Sequence, residues 1–327
     1  MQASISLARK TISWLKNSEG IAITDKFLLF FIKISYISLR FSLLALGRKR
    51  RNKLIEERRL DFGTLWNKFY RLWRINNKAN SKLLKFKVPK YNHEFYCRNN
   101  KDDFQIMTFH EDDILEHKFT PKEGDTVIDV GAHIGPYTLK ASKLVGLNGK
   151  VVAIEADPSN YDILNRNIEL NKFTNVTAVN CAAYSKEEKI KLYLPSKEEG
   201  EGGKKESSPS YTKYNTIMYG RAHNETKFVE VQANTLDYLL QLNGIKHEQV
   251  NWIKIDVEGA EYEVLKGAKD ILSKSDNISL LIEIHNLSAT NTNLYEPIKE
   301  FLNSYNYKID FEKIAKSGEK HIIAKKY

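Results

Sequence analysis

Residues 126–145 constrain the fold more than any other stretch of the 327-residue chain. Thr126-Val127-Ile128-Asp129-Val130 is a short apolar, β-branched run, and Gly131-Ala132-His133-Ile134-Gly135 follows at once. Pro136 then opens a run with helical spacing. A buried strand that turns through glycine into a helix is the first half of a βαβ unit. Gly131 gives the backbone freedom for a tight turn and for close approach of a ligand. Gly135 lets the turn pack against the following helix. Pro136 suits a first helical position, where its missing N–H costs nothing.

The spacing separates two cofactor classes. A dinucleotide fold needs G-x-G-x-x-G, so that pyrophosphate can sit against the helix N-terminus. Here His133 stands where the middle glycine would be, and Asp129 lies two residues ahead of Gly131. An acid followed by Gly-x-x-x-Gly suits a ligand with a cationic amino-acid end and no pyrophosphate, such as S-adenosylmethionine.

The alternation continues along the chain. Val151–Ile154, Val176–Val179, Trp252–Ile255 and Ser279–Ile284 read as strands. Tyr137–Leu144, Tyr161–Asn171 and Ala260–Leu272 read as helices, and Tyr307–Phe311 with His321–Ala324 as a closing hairpin. This predicts an α/β fold whose sheet is mostly parallel, closed by an antiparallel strand and covered by helices on both faces. Residues 196–215, polar and rich in Gly and Ser, interrupt the rhythm and read as a loop.

Strand ends place the candidate site. Glu155 ends the second strand, 24 residues after Gly131, where a carboxylate can accept from both ribose hydroxyls. Ala156 adjoins it. Cys181 and Ala182 follow the third strand, where small side chains leave room for a flat adenine. No Pro-Cys pair or activating base accompanies Cys181, so it reads as a packing residue and not a nucleophile. With Asp129, Gly131, His133, Gly135, Tyr137, Thr138 and Asp256, these residues make up the expected cofactor set.

Trp252–Ile255 delivers Asp256 and Glu258 to the same edge, and the next strand brings Glu283 and His285 to that rim. Asp256, Glu258 and His285 are the candidates for orienting or deprotonating an acceptor. Against this, Glu258 would also suit a cap on the Gly259-Ala260 turn, and His285 would suit a structural rim position. Carboxylates and an imidazole are cation ligands in type. No ligand spacing in the sequence demands a metal, and none is expected.

Four segments together resemble the FkbM family of S-adenosylmethionine-dependent methyltransferases. They are Asp129-Val130-Gly131-Ala132-His133-Ile134-Gly135-Pro136-Tyr137-Thr138, Glu155 with Asp157-Pro158, Thr235-Leu236-Asp237, and Ile253-Lys254-Ile255-Asp256-Val257-Glu258-Gly259-Ala260-Glu261. The resemblance spans roughly residues 91–327, and its last segment is the most specific. It implies a Rossmann-like methyltransferase sheet and O-methylation, often of sugar or natural-product hydroxyls. His133 stands where the family usually has Asn, and Ala156 where Pro is common.

Residues 1–90 lie outside the resemblance and differ in charge. They hold 21 Lys+Arg against 5 Asp+Glu, whereas the remainder holds 30 against 36. The expected organisation is a helical, basic N-terminal segment over 1–90 and a methyltransferase domain over 91–327. Thirteen of the twenty residues of 27–46 are Leu, Ile or Phe, about the length of a bilayer span. Lys33, Arg40 and three serines offset that apolar content, so a span, an in-plane helix and a buried core helix all fit. The basic cluster Arg48-Lys49-Arg50-Arg51 favours an anionic membrane surface, with the catalytic domain in the cytoplasm. Residues 56–75 read as an amphipathic helix, and residues 82–90 as a basic linker. The two cysteines, Cys97 and Cys181, make no disulfide framework and fit a reducing compartment. A nucleic-acid methyltransferase gripping phosphates through the basic segment is the first alternative. It is disfavoured because neither an Asn/Asp-Pro-Pro-aromatic signature nor a Pro-Cys nucleophile is present. A non-catalytic, membrane-tethered S-adenosylmethionine-binding module is the second.

Overall fold

The computed structural model describes residues 83–88, 93–98, 103–108, 114, 117–194, 228–285, 293–314 and 319–326. The apolar stretch 27–46, the amphipathic helix expected over 56–75 and the loop expected over 196–215 lie outside the described residues. The chain divides into two compact units between Asp112 and Asp113.

In the first unit, β1 (Leu83–Val88) pairs antiparallel with β2 (His93–Arg98), and α1 (Asp103–Thr108) follows. Within the segment expected as a basic linker, residues 83–88 therefore form a strand. Its lysines gave the linker reading, but Lys85 and Lys87 alternate with Leu84, Phe86 and Val88, the two-residue period of a half-buried strand. Lys85 sits 3.7 Å from Glu94 across the hairpin. β2 buries His93, Phe95 and Cys97 on one face. Arg98 closes onto the buried Asp103, with Nε and Nη2 donating to its two oxygens at 2.8 and 2.9 Å. The hairpin runs across the expected division at residues 90 and 91.

The second unit is built on a seven-stranded sheet. In chain order it contains β3 (Thr126–Val130), α2 (Pro136–Val145), β4 (Lys150–Ile154), α3 (Pro158–Leu170) and β5 (Val176–Val179). A short β6 (Ala182–Ala183), β7 (Glu188–Tyr193), β8 (Phe228–Asn234) and α4 (Leu236–Leu242) come next. Then follow β9 (Val250–Ile255), α5 (Glu261–Lys266), α6 (Lys269–Lys274) and β10 (Ser279–Ile284). The last elements are α7 (Tyr295–Ser304), β11 (Tyr307–Ile314) and β12 (Lys320–Lys326). The strand order is β11-β12-β10-β9-β3-β4-β5. β10, β9, β3, β4 and β5 run parallel, and β12 is antiparallel to both its neighbours. Every strand expected for this sheet is present, and the sheet is Rossmann-like and mostly parallel.

All five residues of β3 are buried, as happens when a parallel sheet is covered on both faces. Ile128, Val130, Ile154, Ile253, Ile255, Leu280 and Ile282 of the central strands form the core with Leu236, Leu240, Val264 and Leu265 of the helices. The chain runs outward from β3 through β4 to β5, then returns to β9 and builds the other half. Strand order reverses between β3 and β9, which opens the binding crevice of such sheets at their carboxyl ends.

Two features depart from expectation. The helix expected over Ala260–Leu272 is two helices, α5 and α6, broken at Gly267. A Cβ there would lie 2.0 Å from the Tyr184 carbonyl oxygen. The chain bends where another backbone presses on it, and Asp237 caps the restart by accepting from Asp270 N and Ile271 N, both at 3.0 Å. A second sheet, β6-β8-β7, flanks the undescribed residues 195–227. Its strands alternate polar and apolar residues, burying Ile190, Leu192, Val231 and Ala233.

Candidate functional site

The turn after β3 is fixed by backbone. Gly131 N and Ala132 N both donate to Ile154 O, at 2.9 and 3.0 Å. Gly131 has φ +75°, and a Cβ on it would lie 1.8 Å from the Asp256 carbonyl oxygen. The close approach that requires glycine here is therefore made by the chain leaving β9. Gly135, at φ +100°, caps α2, and its missing Cβ makes room for Leu164 of α3. The tightest contact a Cβ would make there is with the helix after β4, and Leu139 and Thr138 of the helix it starts follow at 3.6 and 3.7 Å. Pro136 occupies the first helical turn as expected.

Asp129 is buried in β3 and paired in register with Lys254 of β9. Thr138, also buried, donates its hydroxyl to Asp129 Oδ2. Lys254 Nζ lies 3.7 Å from Asp129 Oδ1, 3.2 Å from Asp256 Oδ2 and 3.1 Å from Gly131 O. It also sits over the Tyr137 ring at 5.1 Å. Burial raises the Asp129 pKa above the ordinary carboxylate value, against the pull of Lys254 and the Thr138 hydroxyl. Thr138 and Tyr137 thus reach the rim through Asp129 and Lys254.

Glu155 ends β4 and faces the same turn. Its Oε2 accepts from His133 N at 2.7 Å, and its Oε1 from Asp157 N at 2.9 Å. His133 holds φ 52°, a left-handed conformation that aims its N–H at this carboxylate. Burial pushes the Glu155 pKa up to about 7, despite the two backbone donors. Asn180, after β5, donates to the backbone oxygens of Glu155 and Ala156 at 2.8 and 3.2 Å, tying two strand ends together. Cys181 is buried with Sγ 3.1 Å from Gln232 O, and burial raises its thiol to about 11. A thiol so held stays protonated and unreactive at neutral pH. Ala182 lies in β6 beside Ala233.

The other half of the rim gathers carboxylates around one imidazole. His285 Nδ1 lies 2.9 Å from Glu261 Oε1, which also accepts from Gly259 N at 2.9 Å. His285 Nε2 faces Glu258 Oε2 at 3.4 Å, Glu283 Oε1 at 3.7 Å and Asp256 Oδ1 at 4.0 Å. Glu283 Oε2 in turn lies 3.4 Å from His321 Nε2, its register partner on β12. Burial opposes charge on His285, but Glu258, Glu261 and Glu283 outweigh it and hold its pKa well above the ordinary value. Burial also raises the Glu258 pKa, with Asp256 and Glu261 adding to the shift and His285 opposing it. The turn carboxylate that accepts from Gly259 N belongs to Glu261. Glu258 itself holds φ 53°, an uncommon conformation for a residue with a side chain.

The structure therefore brings Asp129, Gly131, His133, Glu155 and Asp256 to one rim, with Glu258, Glu283 and His285 beside them. Lys254, Glu261, His321 and Asn180 were not singled out from the sequence. Lys254 carried a signal, a lysine inside an otherwise apolar strand. Glu261 lay in the most specific segment of the resemblance without a role of its own, and His321 carried no signal, because the contacts that matter join residues 24 or more positions apart. The Thr235-Leu236-Asp237 segment is structural: Thr235 caps α4 through Tyr238 N, and Asp237 caps α6.

A mostly parallel sheet closed by an antiparallel strand, with a glycine turn after β3 and acids at the ends of β3, β4 and β9, defines a methyltransferase-type α/β protein. The methyltransferase FkbM domain model matches residues 129–309, more than half of the chain, and the chain belongs to that family. Methyltransferase 1 of Beauveria bassiana (strain ARSEF 2860) is 28% identical over 150 residues, covering 44% of this chain and 58% of that protein. Methyltransferase sdnD of Sordaria araneosa is 28% identical over 181 residues, covering 51% of this chain and 67% of that protein. Among solved structures, M. jannaschii TYW2 in complex with AdoMet is matched at 16% identity and TM-score 0.40, over 75% of this chain and 85% of that one.

The family is one of S-adenosylmethionine-dependent methyltransferases, and the rim fits that cofactor. Asp129 Oδ1 makes no hydrogen bond among the described residues and has Lys254 Nζ at 3.7 Å, so it is an acceptor suited to a cationic amino-acid end. Both Glu155 oxygens accept backbone N–H groups yet retain further lone pairs for ribose hydroxyls.

Proposed function

We propose that this chain transfers a methyl group from S-adenosylmethionine to a hydroxyl oxygen of a small-molecule or glycan acceptor. The observation that carries this reading is the division of one rim, in a chain of this family, between the Asp129–Glu155 side and the Asp256–Glu258–His285 side. The cofactor supplies a methyl group activated by sulfonium, which a nucleophile takes by in-line displacement.

The residues divide the remaining work. Glu155 receives the ribose hydroxyls, and Asp129 with Asp256 sets a negative field toward the ammonium end. Ala156, Cys181 and Ala182 supply small surfaces for the adenine, while Gly131, His133, Gly135, Tyr137 and Thr138 shape and brace the turn. Lys254 fixes Asp129, Asp256 and the Gly131 carbonyl in one arrangement, a positioning role that methyl transfer depends on. An aliphatic hydroxyl is a weak nucleophile, so a base beside it assists as charge leaves oxygen. Asp256 or Glu258 orients the hydroxyl and takes its proton, with His285 assisting. The raised pKa of Glu258 makes it the stronger proton acceptor near neutral pH.

Calorimetry with S-adenosylmethionine should show binding that Asp129→Ala and Glu155→Ala abolish, and a protein indifferent to the compound would sink the reading. A screen of hydroxyl acceptors with labelled S-adenosylmethionine then identifies the substrate. A Glu258→Gln variant as active as wild type would remove that residue as base. The apolar stretch 27–46 and its basic flank support docking on an anionic membrane surface from the cytoplasmic side. Equal solubility of the full chain and a 91–327 fragment on cell fractionation would refute that.

A further inference from the structure

His285 is 5% exposed and has one ring nitrogen committed to Glu261. Glu261 is a carboxylate acceptor at Nδ1, which places the ring proton there and leaves a lone pair on Nε2 in the neutral imidazole. That nitrogen is aimed at the oxygens of Glu258, Glu283 and Asp256, at 3.4, 3.7 and 4.0 Å. Four atoms of ligand type thus converge on one small volume. Oxygens crowded in a buried site need a positive charge among them; the imidazole proton supplies it in the chain by itself, and a divalent cation takes that proton's place when bound. Lys254 does not fill that need, because it binds Asp256 through Oδ2 whereas Oδ1 faces the imidazole.

The geometry points to a divalent cation held by Asp256, Glu258 and His285. One ligand atom from each lies within 4.8 Å of the others, the separation at which three donors surround one ion after a small inward movement. Glu261 completes the arrangement as the carboxylate that orients a ligating histidine through its other nitrogen. Two carboxylates and one imidazole suit Mn²⁺ or Mg²⁺, which keep several water positions when few protein ligands are present. Asp256, the most exposed of the three at 21% of its side chain, marks the side from which water or an acceptor hydroxyl reaches the ion. The inference rests on the methyl-transfer reading, for which the ion gives the acceptor oxygen a fixed position and lowers the cost of losing its proton. Asp256 and Glu258 then act as ligands, and the acceptor proton leaves to solvent.

The test uses the full-length protein, stripped with a chelator, and titrates MnCl₂ by calorimetry and electron paramagnetic resonance, without any turnover. One Mn²⁺ per chain is expected. His285→Ala and Asp256→Asn should weaken binding by at least about 100-fold, and Glu261→Gln by about 10- to 100-fold. Asp162→Asn, an exposed acid on α3, should leave it unchanged. Where His285→Ala does not fold by circular dichroism, Glu258→Gln keeps the side-chain shape and should show the same loss. Absence of Mn²⁺ binding, or equal binding by the rim variants, overturns the cation site. S-Adenosylmethionine binding measured on the same samples separates the two ideas. Cofactor binding without Mn²⁺ binding defeats the cation site alone, and loss of both defeats the methyl-transfer reading with it.

Discussion

The two halves of the rim treat buried carboxylates in opposite ways. At the ends of β3 and β4, Asp129 and Glu155 are met by donors: the Thr138 hydroxyl, Lys254, and the N–H groups of His133 and Asp157. At the ends of β9 and β10, Asp256, Glu258, Glu261 and Glu283 crowd around one imidazole. The first half is a cradle that meets each carboxylate with donors and leaves Asp129 Oδ1 as an acceptor without a hydrogen bond among the described residues. The second sets four carboxylates against one imidazole, the condition in which protonation, a substrate proton or a cation changes the energy most. The proposed function puts binding and chemistry on separate parts of a single sheet edge, and Lys254 touches both through Asp129 and Asp256.

Lys254 is the place to break that comparison. Lys254→Met leaves Asp129 buried without its cation and should destabilise the protein by about 3–5 kcal/mol in urea denaturation. Adding Asp129→Asn should recover part of the loss. A single-variant loss below about 1 kcal/mol would mean that the two halves are not joined through this side chain.

Glu155 gives the next effect, and its sign follows from its pKa. The folded chain holds this proton up to about pH 7, whereas the ordinary carboxylate value is 4.5. Stability from this group is therefore full below pH 4.5 and lost as pH rises to about 7, a change of about 3 kcal/mol. Denaturation curves across pH 4–8 should show that fall in wild type, while Glu155→Gln should flatten it. Ribose hydroxyls donate to the ionised form, so S-adenosylmethionine affinity should rise with pH through about 7 in wild type and not in the variant. The opposite slope would remove Glu155 from the ribose site.

Smaller effects test the cradle itself. Gly135→Ala places a Cβ 2.9 Å from Leu164 Cδ1 at φ +100° and should cost about 2 kcal/mol by thermal unfolding. An unchanged melting temperature would show that the turn relaxes freely. Cys181, its thiol raised to about 11, should react with a thiol reagent at pH 8 far more slowly than in urea-unfolded protein. Rapid labelling of the folded protein would show that this strand end is open.

Much of the cofactor side was legible because its determinants are local. Asp129, Gly131 and Gly135 lie within seven residues, and their pattern states strand, turn and helix in order. The ligand-side reasoning for Gly131 was different from the structural one, since the neighbour demanding its missing Cβ is the Asp256 backbone, 125 residues away in sequence. The break at Gly267 was hidden for the same reason, because the pressure on it comes from Tyr184. β1 was hidden by composition, the four lysines of residues 82–90 suggesting charge where a two-residue alternation was also present.

The sequence by itself determined the parallel α/β architecture, the glycine turn and the acids at the strand ends, since hydrophobic periodicity and backbone preference act over short stretches. Only the tertiary structure decided that Glu261 orients His285, that Glu283 bridges His285 and His321, and that Lys254 spans two acids. Those relations are set by strand register and sheet order, which bring distant residues within 4 Å and give each charge its partner.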